Sequence, residues 1–204
     1  MINTLCIRLM RLLGWTFEGQ FDKTQSCVMI VGSHTSNWDF IIGIIARSAL
    51  GTKIHFLGKH QLFIAPWGWL FRAMGGSPVD RRRHNNLVDA AAQLFQQDPN
   101  YKLALAPEGT RSPVTRWKSG FYHIAVKAQV DIVPVGLDFG RKTIVLSPPL
   151  TPTGNIETEM NQLMDFYRTI TGYRPKKSQI TSYNPQLNAI KYYNALSRLC
   201  SANT

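Results

Sequence analysis

Cysteine is scarce in this 204-residue chain: Cys6, Cys27 and Cys200 are the three it has, widely spaced and without a C-x-x-C pair. Neither a disulfide framework nor a zinc site follows from such a set, and the reading is a reducing, cytosolic compartment. Acidic side chains are few as well. Twelve Asp and Glu stand against 23 Lys and Arg, a net charge of +11, and a surplus of that size directs attention to phosphate esters, an acidic membrane surface or nucleic acid. Charged residues make up 17% of the chain and hydrophobic ones 44%, which excludes intrinsic disorder. Long apolar runs are missing too. The longest interval between charged side chains, 24–38, contains Gly, Ser, Asn and His, so nothing has the roughly 18 consecutive apolar residues of a membrane span. A secretory signal is not expected either, because Arg8 and Arg11 interrupt the N-terminal apolar run and no small-residue cleavage site follows it.

Absent motifs narrow the chemistry. There is no P-loop, no G-x-G-x-x-G after a strand, no G-x-S-x-G elbow and no H-E-x-x-H. The five histidines are scattered, and His55 with His60 lacks the nearby carboxylates of a metal site. No metal and no tightly bound cofactor are expected.

What is present is a pattern of alternation. The length corresponds to one domain of about 150 residues with short appendages. In residues 1–17, Ile2, Leu5, Cys6, Leu9, Leu12 and Leu13 recur at helical spacing while Thr4, Arg8 and Arg11 share the opposite side. Such a helix can lie in a membrane interface or pack on the domain's own core. Strand-like runs then follow at 27–31, 53–57, 77–79, 101–106, 132–137 and 143–146. Helical patterns fall between them at 38–50, 86–97 and 120–129, with a last one from Ile156 to Ile170. Strands alternating with helices of this length predict an α/β fold: a mixed, partly parallel sheet flanked by helices, with the amphipathic helix at its N-terminus. The expected organisation is that helix over 1–17, one domain over 18–172 and a basic extension over 173–204, since no acidic residue follows Asp165.

Two loops stand out, each directly after a predicted strand: Ser33-His34-Thr35-Ser36-Asn37-Trp38-Asp39 and Pro107-Glu108-Gly109-Thr110-Arg111. Ligands of open α/β sheets collect beyond the carboxyl ends of the strands, so the two loops can meet on one edge. An imidazole with a pKa of about 6.5 can take a hydroxyl proton at neutral pH, and a carboxylate on its other nitrogen fixes the tautomer. His34 and Asp39 fit those roles. Structural readings compete: Ser36-x-x-Asp39 before an apolar run is a capping box, and Glu108 with Arg111 can be an ion pair within a turn.

His34-x4-Asp39 followed by Pro107-Glu108-Gly109-Thr110-Arg111 resembles the glycerolipid acyltransferase family, which includes the 1-acyl-glycerol-3-phosphate acyltransferases. Gly75-x-x-Pro78-Val79-x-Arg81 is similar to the family's second motif and Ile132-Val133-Pro134-Val135 to its fourth, so four blocks in order cover residues 32 to 135. The resemblance implies transfer of a fatty acyl group from acyl-CoA or acyl-carrier protein to the hydroxyl of a lysolipid or related acceptor. His34 is then the base and Asp39 its orienter. The implied substrate-binding set is Ser36, Asn37, Arg81, Glu108, Gly109, Thr110 and Arg111, with guanidinium suited to phosphate. No cofactor is implied beyond the acyl carrier as co-substrate. Ser33 stands where the phosphatidate-forming members usually have Asn, and Pro78 where Phe is usual; both departures bear on the acceptor.

A lipid acceptor makes a peripheral position on the cytoplasmic face of an anionic membrane the expected location. The N-terminal helix and the Trp67/Trp69 stretch are the candidate contacts. A thioesterase or lipid hydrolase and a CoA-independent transacylase can use the same base. A nucleic-acid-binding protein, favoured by the charge and by Arg81-Arg82-Arg83, has no helix-turn-helix, RNA-recognition or zinc-finger signature behind it, and no nucleic-acid partner is expected.

Overall fold

The computed structural model describes residues 2–32, 36–79, 87–109 and 117–174. In chain order they form α1 (Ile2–Leu12), β1 (Thr16–Glu18), β2 (Cys27–Gly32), α2 (Asn37–Leu50), β3 (His55–Lys59), a 3₁₀ turn (His60–Phe63), α3 (Gly68–Ala73), β4 (Gly76–Val79), α4 (Leu87–Gln97), β5 (Lys102–Leu105), α5 (Gly120–Ala128), β6 (Asp131–Asp138), β7 (Thr143–Leu146) and α6 (Ile156–Arg168). The strands make one sheet in the order β1-β7-β6-β2-β5-β3-β4. Every neighbouring pair is parallel except β6 and β7, which are antiparallel. The predicted mixed α/β sheet is therefore the one observed.

The central strands are covered on both sides and so read as near-continuous apolar runs. Their side chains alternate between two cores. Val28, Ile30, Leu103 and Ile132 join Ala91 and Phe95 of α4, Phe121 and Ile124 of α5, and Met160 and Leu163 of α6. Cys27, Met29, Val133 and Val135 join Ile42, Ala46 and Ala49 of α2 and Met10 of α1. Complete burial of one such aliphatic side chain is worth about 1.5–3 kcal/mol. Burial also pushes the Cys27 thiol up to about 12, which makes it a packing group and not a nucleophile.

Helix α1 packs on the domain, but not through its leucine stripe. At 100° per residue, Asn3, Cys6, Ile7 and Met10 share one side, and that side meets α2: Met10 is buried, and Cys6 and Ile7 pack against the same core. The leucine stripe points elsewhere, with Leu12 84% and Leu5 67% exposed. Arg8 and Arg11 occupy a third, exposed side. The helix ends at Leu12. A Gly14 turn (φ 77°) then leads into β1, an edge strand absent from the sequence reading, whose Thr16 and Thr143 hydroxyls lie 3.1 Å apart.

Other boundaries move by a residue or two. β3 begins at His55 and not at Lys53, because its register is set by its neighbours, His55 opposite Leu103 and Phe56 opposite Gly76. The apolar stretch 62–74 divides at Pro66–Gly68. Phe63 turns into the core, near Phe71, while Leu62, Ile64, Trp67 and Trp69 stay exposed. Among the described residues no helix is long and apolar enough to cross a membrane. The basic segment from 175 onward lies outside them.

Candidate functional site

β2 lies between β5 and β6, with all three strands running the same way. Its carboxyl end at Gly32 faces Gly136, and the loop after β5 opens on the same edge. Two local structures are built there.

The first is the start of α2. Ser36 is extended (φ −148°, ψ 165°) and its Oγ accepts the Trp38 N–H at 3.2 Å, while Asp39 Oδ2 accepts the Ser36 N–H at 2.6 Å. That is the capping box read from S-x-x-D, and it satisfies amides that the first turn of a helix leaves over. The cap is not a surface feature. Asp39 is 2% exposed and Ser36 8%, and the second carboxylate oxygen, Oδ1, is buried as well. A carboxylate survives burial only with donors around it, and the positive end of the α2 dipole adds to them. Asn37 and Trp38 face outward. The other end of α2 is closed by Gly51 in the left-handed region (φ 68°), with its N–H shared between the Arg47 and Ser48 carbonyls. From that last turn Arg47 reaches the Ile54 carbonyl at 3.0 Å and the Met74 carbonyl, tying α2 to β3 and to the turn before β4.

The second is the turn after β5. The Gly109 N–H bonds to the Ala106 carbonyl at 3.0 Å, with Gly109 at φ 64°, a conformation that suits glycine. Lys118 N–H donates to the Pro107 carbonyl at 2.9 Å and so draws the two ends of the 107–118 segment together. Glu108, 7% exposed, lies in this turn. It is near enough to Tyr167 of α6 to push the phenol's pKa in the same upward direction as burial, which is the larger cause.

Thus Ser36, Asp39, Glu108 and Gly109 stand on the predicted edge, two of them as buried carboxylates. His34, Arg81, Thr110 and Arg111 lie outside the described residues. The described part of the second block runs through β4, where Pro78 pairs with Gly58 of β3, and the fourth block lies within β6, with Pro134 opposite Ile30 of β2. Tyr167 was missed by the sequence reading, where it counts only as one more apolar position of the last helix. The signal available was its hydroxyl, since a buried tyrosine needs a polar partner.

Residues 15–138 match the Acyltransferase family model, well over half of the chain, and the chain belongs to that family. It is similar to the 1-acyl-sn-glycerol-3-phosphate acyltransferase of Haemophilus influenzae (26% identity over 136 residues, 63% of this chain and 56% of the relative). It is also similar to the human 1-acyl-sn-glycerol-3-phosphate acyltransferase beta (30% over 122 residues, 57% and 42%). The chain spans about half the length of these curated relatives. The crystal structure of the 1-acyl-sn-glycerophosphate (LPA) acyltransferase from Thermotoga maritima superposes with a TM-score of 0.54 at 21% identity. The match covers 81% of this chain and 74% of that one, a likeness of fold.

Proposed function

We propose that the protein is an O-acyltransferase that moves a fatty acyl group from the thioester of acyl-CoA or acyl-carrier protein to the free hydroxyl of a lysophospholipid or related glycerolipid. The observation that carries this reading is the buried Asp39 carboxylate. It stands at the carboxyl end of β2, with Oδ2 committed to the Ser36 N–H and the loop of His34 directly before it in the chain. In this reading Oδ1 receives the ring N–H of His34 and fixes the tautomer. The free ring nitrogen takes the proton of the acceptor hydroxyl as that oxygen attacks the thioester carbonyl. The C–S bond then breaks, and the departing thiolate recovers the proton from the imidazolium. No nucleophilic residue is required. Arg81 and Arg111 bind the anionic headgroup, Glu108 orients a guanidinium or a hydroxyl, and Ser36, Asn37, Gly109 and Thr110 shape the acceptor site around them.

We also propose that the protein works as a peripheral protein on the cytoplasmic face of an anionic membrane. Support comes from the exposed leucines of α1, the exposed Trp67 and Trp69, and the net charge of +11. Each basic residue close to such a surface contributes about 1 kcal/mol.

The test is mass spectrometry of products after incubation with acyl-CoA or acyl-carrier protein and a panel of lysolipids. Acylated lipid is expected, and free fatty acid as the main product would assign a hydrolase instead. His34→Ala should fold and lose about 10²–10⁴-fold in turnover; turnover near that of the unaltered protein would refute the base assignment. Vesicle sedimentation should show binding that rises with anionic lipid and falls partly at high salt.

A further inference from the structure

Tyr167 is wholly buried, and its hydroxyl sits inside the sheet. The oxygen accepts the Val135 N–H of β6 at 3.1 Å, and its proton goes to the Ile30 carbonyl of β2. A helix side chain thus relays a hydrogen bond between two neighbouring strands, two residues before the end of β2. The Val135 carbonyl is 3.3 Å away.

The ring is fixed as tightly as the hydroxyl. Trp117 and Phe166 meet it edge to face, with centroids 5.0 and 4.8 Å away. On the strand side it rests on Gly32, where a Cβ would lie 2.9 Å from Cε1 and 3.0 Å from Cδ1. Three residues further on, just past the end of α6, Ile170 rests on Gly136 in the same way, with a Cβ there 2.6 Å from Cδ1. Gly32 and Gly136 are the paired last contacts of β2 and β6, so the missing side chains let the last turn of α6 and the residues just after it touch both strand ends. Gly32 is also the residue from which the His34 loop departs.

Resting on the reading of His34 as the base, we propose that Tyr167 is a positioning residue. Its phenol holds the end of β2 against β6 and sets the point and direction from which the loop carrying His34 leaves the sheet. Without the hydroxyl, the Ile30 carbonyl and the Val135 N–H lose their relay and the strand end shifts. A shift of about 1 Å at a general base can lower turnover about 10²-fold. Uniform binding of the acceptor, made elsewhere, is unaffected, so the loss falls on kcat and not on KM.

The experiment compares the unaltered protein, His34→Ala, Tyr167→Phe and Leu163→Ala with one acyl donor and one lysolipid, well below every variant's Tm. Leu163 lies one turn earlier in α6, in the same core, and its truncation is a control for lost stability without a lost relay. Tyr167→Phe should lower kcat about tenfold or more and leave KM within about twofold, while Leu163→Ala keeps kcat despite an equal or larger fall in Tm. Unchanged kcat in Tyr167→Phe, or an equal kcat loss in Leu163→Ala, overturns the proposal. Should Tyr167→Phe not fold, Gly32→Ala presses the same ring from the strand side and must give the same kcat-selective loss; retained kcat there overturns it too. If the unaltered protein transfers no acyl group, or His34→Ala retains transfer, the functional reading itself fails and the positioning role falls with it. Normal transfer that His34→Ala abolishes and Tyr167→Phe leaves intact removes the positioning role alone.

Discussion

Where α4, α5 and α6 cover the sheet, Phe95, Tyr101, Trp117, Phe121, Tyr122 and Tyr167 fill the core; where α1 and α2 cover it, Met10, Met29, Ile42 and Leu137 surround Trp15, and further rings gather toward β3, where Phe40 of α2 meets Phe56 and Phe71. The aromatic core also makes directed bonds. Tyr122 receives the Gly154 N–H at 3.1 Å, and Tyr167 bridges two strands. Rings with polar tips fix both position and orientation, whereas aliphatic and thioether side chains adapt to what lies beside them. The outer surface differs in the same sense: the aliphatic side carries the exposed Leu5, Leu9, Leu12, Trp38 and Ile41. One side of the sheet holds the geometry of the site, and the other presents apolar surface to the outside while carrying Asp39 at its edge.

The largest expected effect is on the aromatic side. Trp117→Ala should cost about 3–5 kcal/mol, read as a fall in urea midpoint at constant slope. A loss below about 1 kcal/mol would break the claim that this side holds the fold. On the other side, Asp39→Ala removes a buried cap and should cost about 1–2 kcal/mol with a much larger loss of turnover. A stability loss alone, with turnover intact, would leave Asp39 as a cap and nothing more.

Acid sensitivity should come from the aromatic side as well. Burial holds the imidazoles of His55, stacked on Tyr101, and His123, next to Tyr122, below their ordinary range. The unfolded chain therefore binds protons that the folded one does not. Their contribution is complete above the unfolded pKa of about 6.5 and is lost as pH falls toward the lower folded values. Urea midpoints should fall from pH 7 to 5, and the double variant His55→Phe, His123→Phe should flatten that fall; an unchanged slope would place the acid sensitivity elsewhere.

The smallest stability effect is expected from Leu5→Gln, Leu9→Gln and Leu12→Gln together: within about 0.5 kcal/mol per exposed site, with reduced retention on anionic vesicles. A large stability loss would mean that this stripe packs after all.

Most of the fold is legible because its strands are short apolar runs between helices with clear stops, such as Gly51 after α2. β1 is not legible. Thr16, Phe17 and Glu18 are all exposed and become a strand through their partner, β7, 127 residues away. The stripe on α1 misleads for a related reason: two of its three sides are apolar, and only the position of α2 decides which is buried. At the site, the Ser36–Asp39 box and the Gly109 turn are local and readable, since each closes within three or four residues. The bridge from Tyr167 joins residues 32 and 137 positions apart, and periodicity marks that position only as buried.

The parallel pairing of β1 with β7 has a kinetic meaning. α1 finds α2 within a short stretch of chain, so that contact can form early and at low loop-closure cost. The strand that follows α1 by four residues must wait until Thr143–Leu146 has been made and β6 has turned back into β7. During synthesis, the leucine-faced helix is therefore docked long before the segment behind it has a partner. The seam between the beginning of the domain and its seventh strand closes only after β7 has been made. With three exposed residues at the sheet edge, it is also where amide exchange should first report opening.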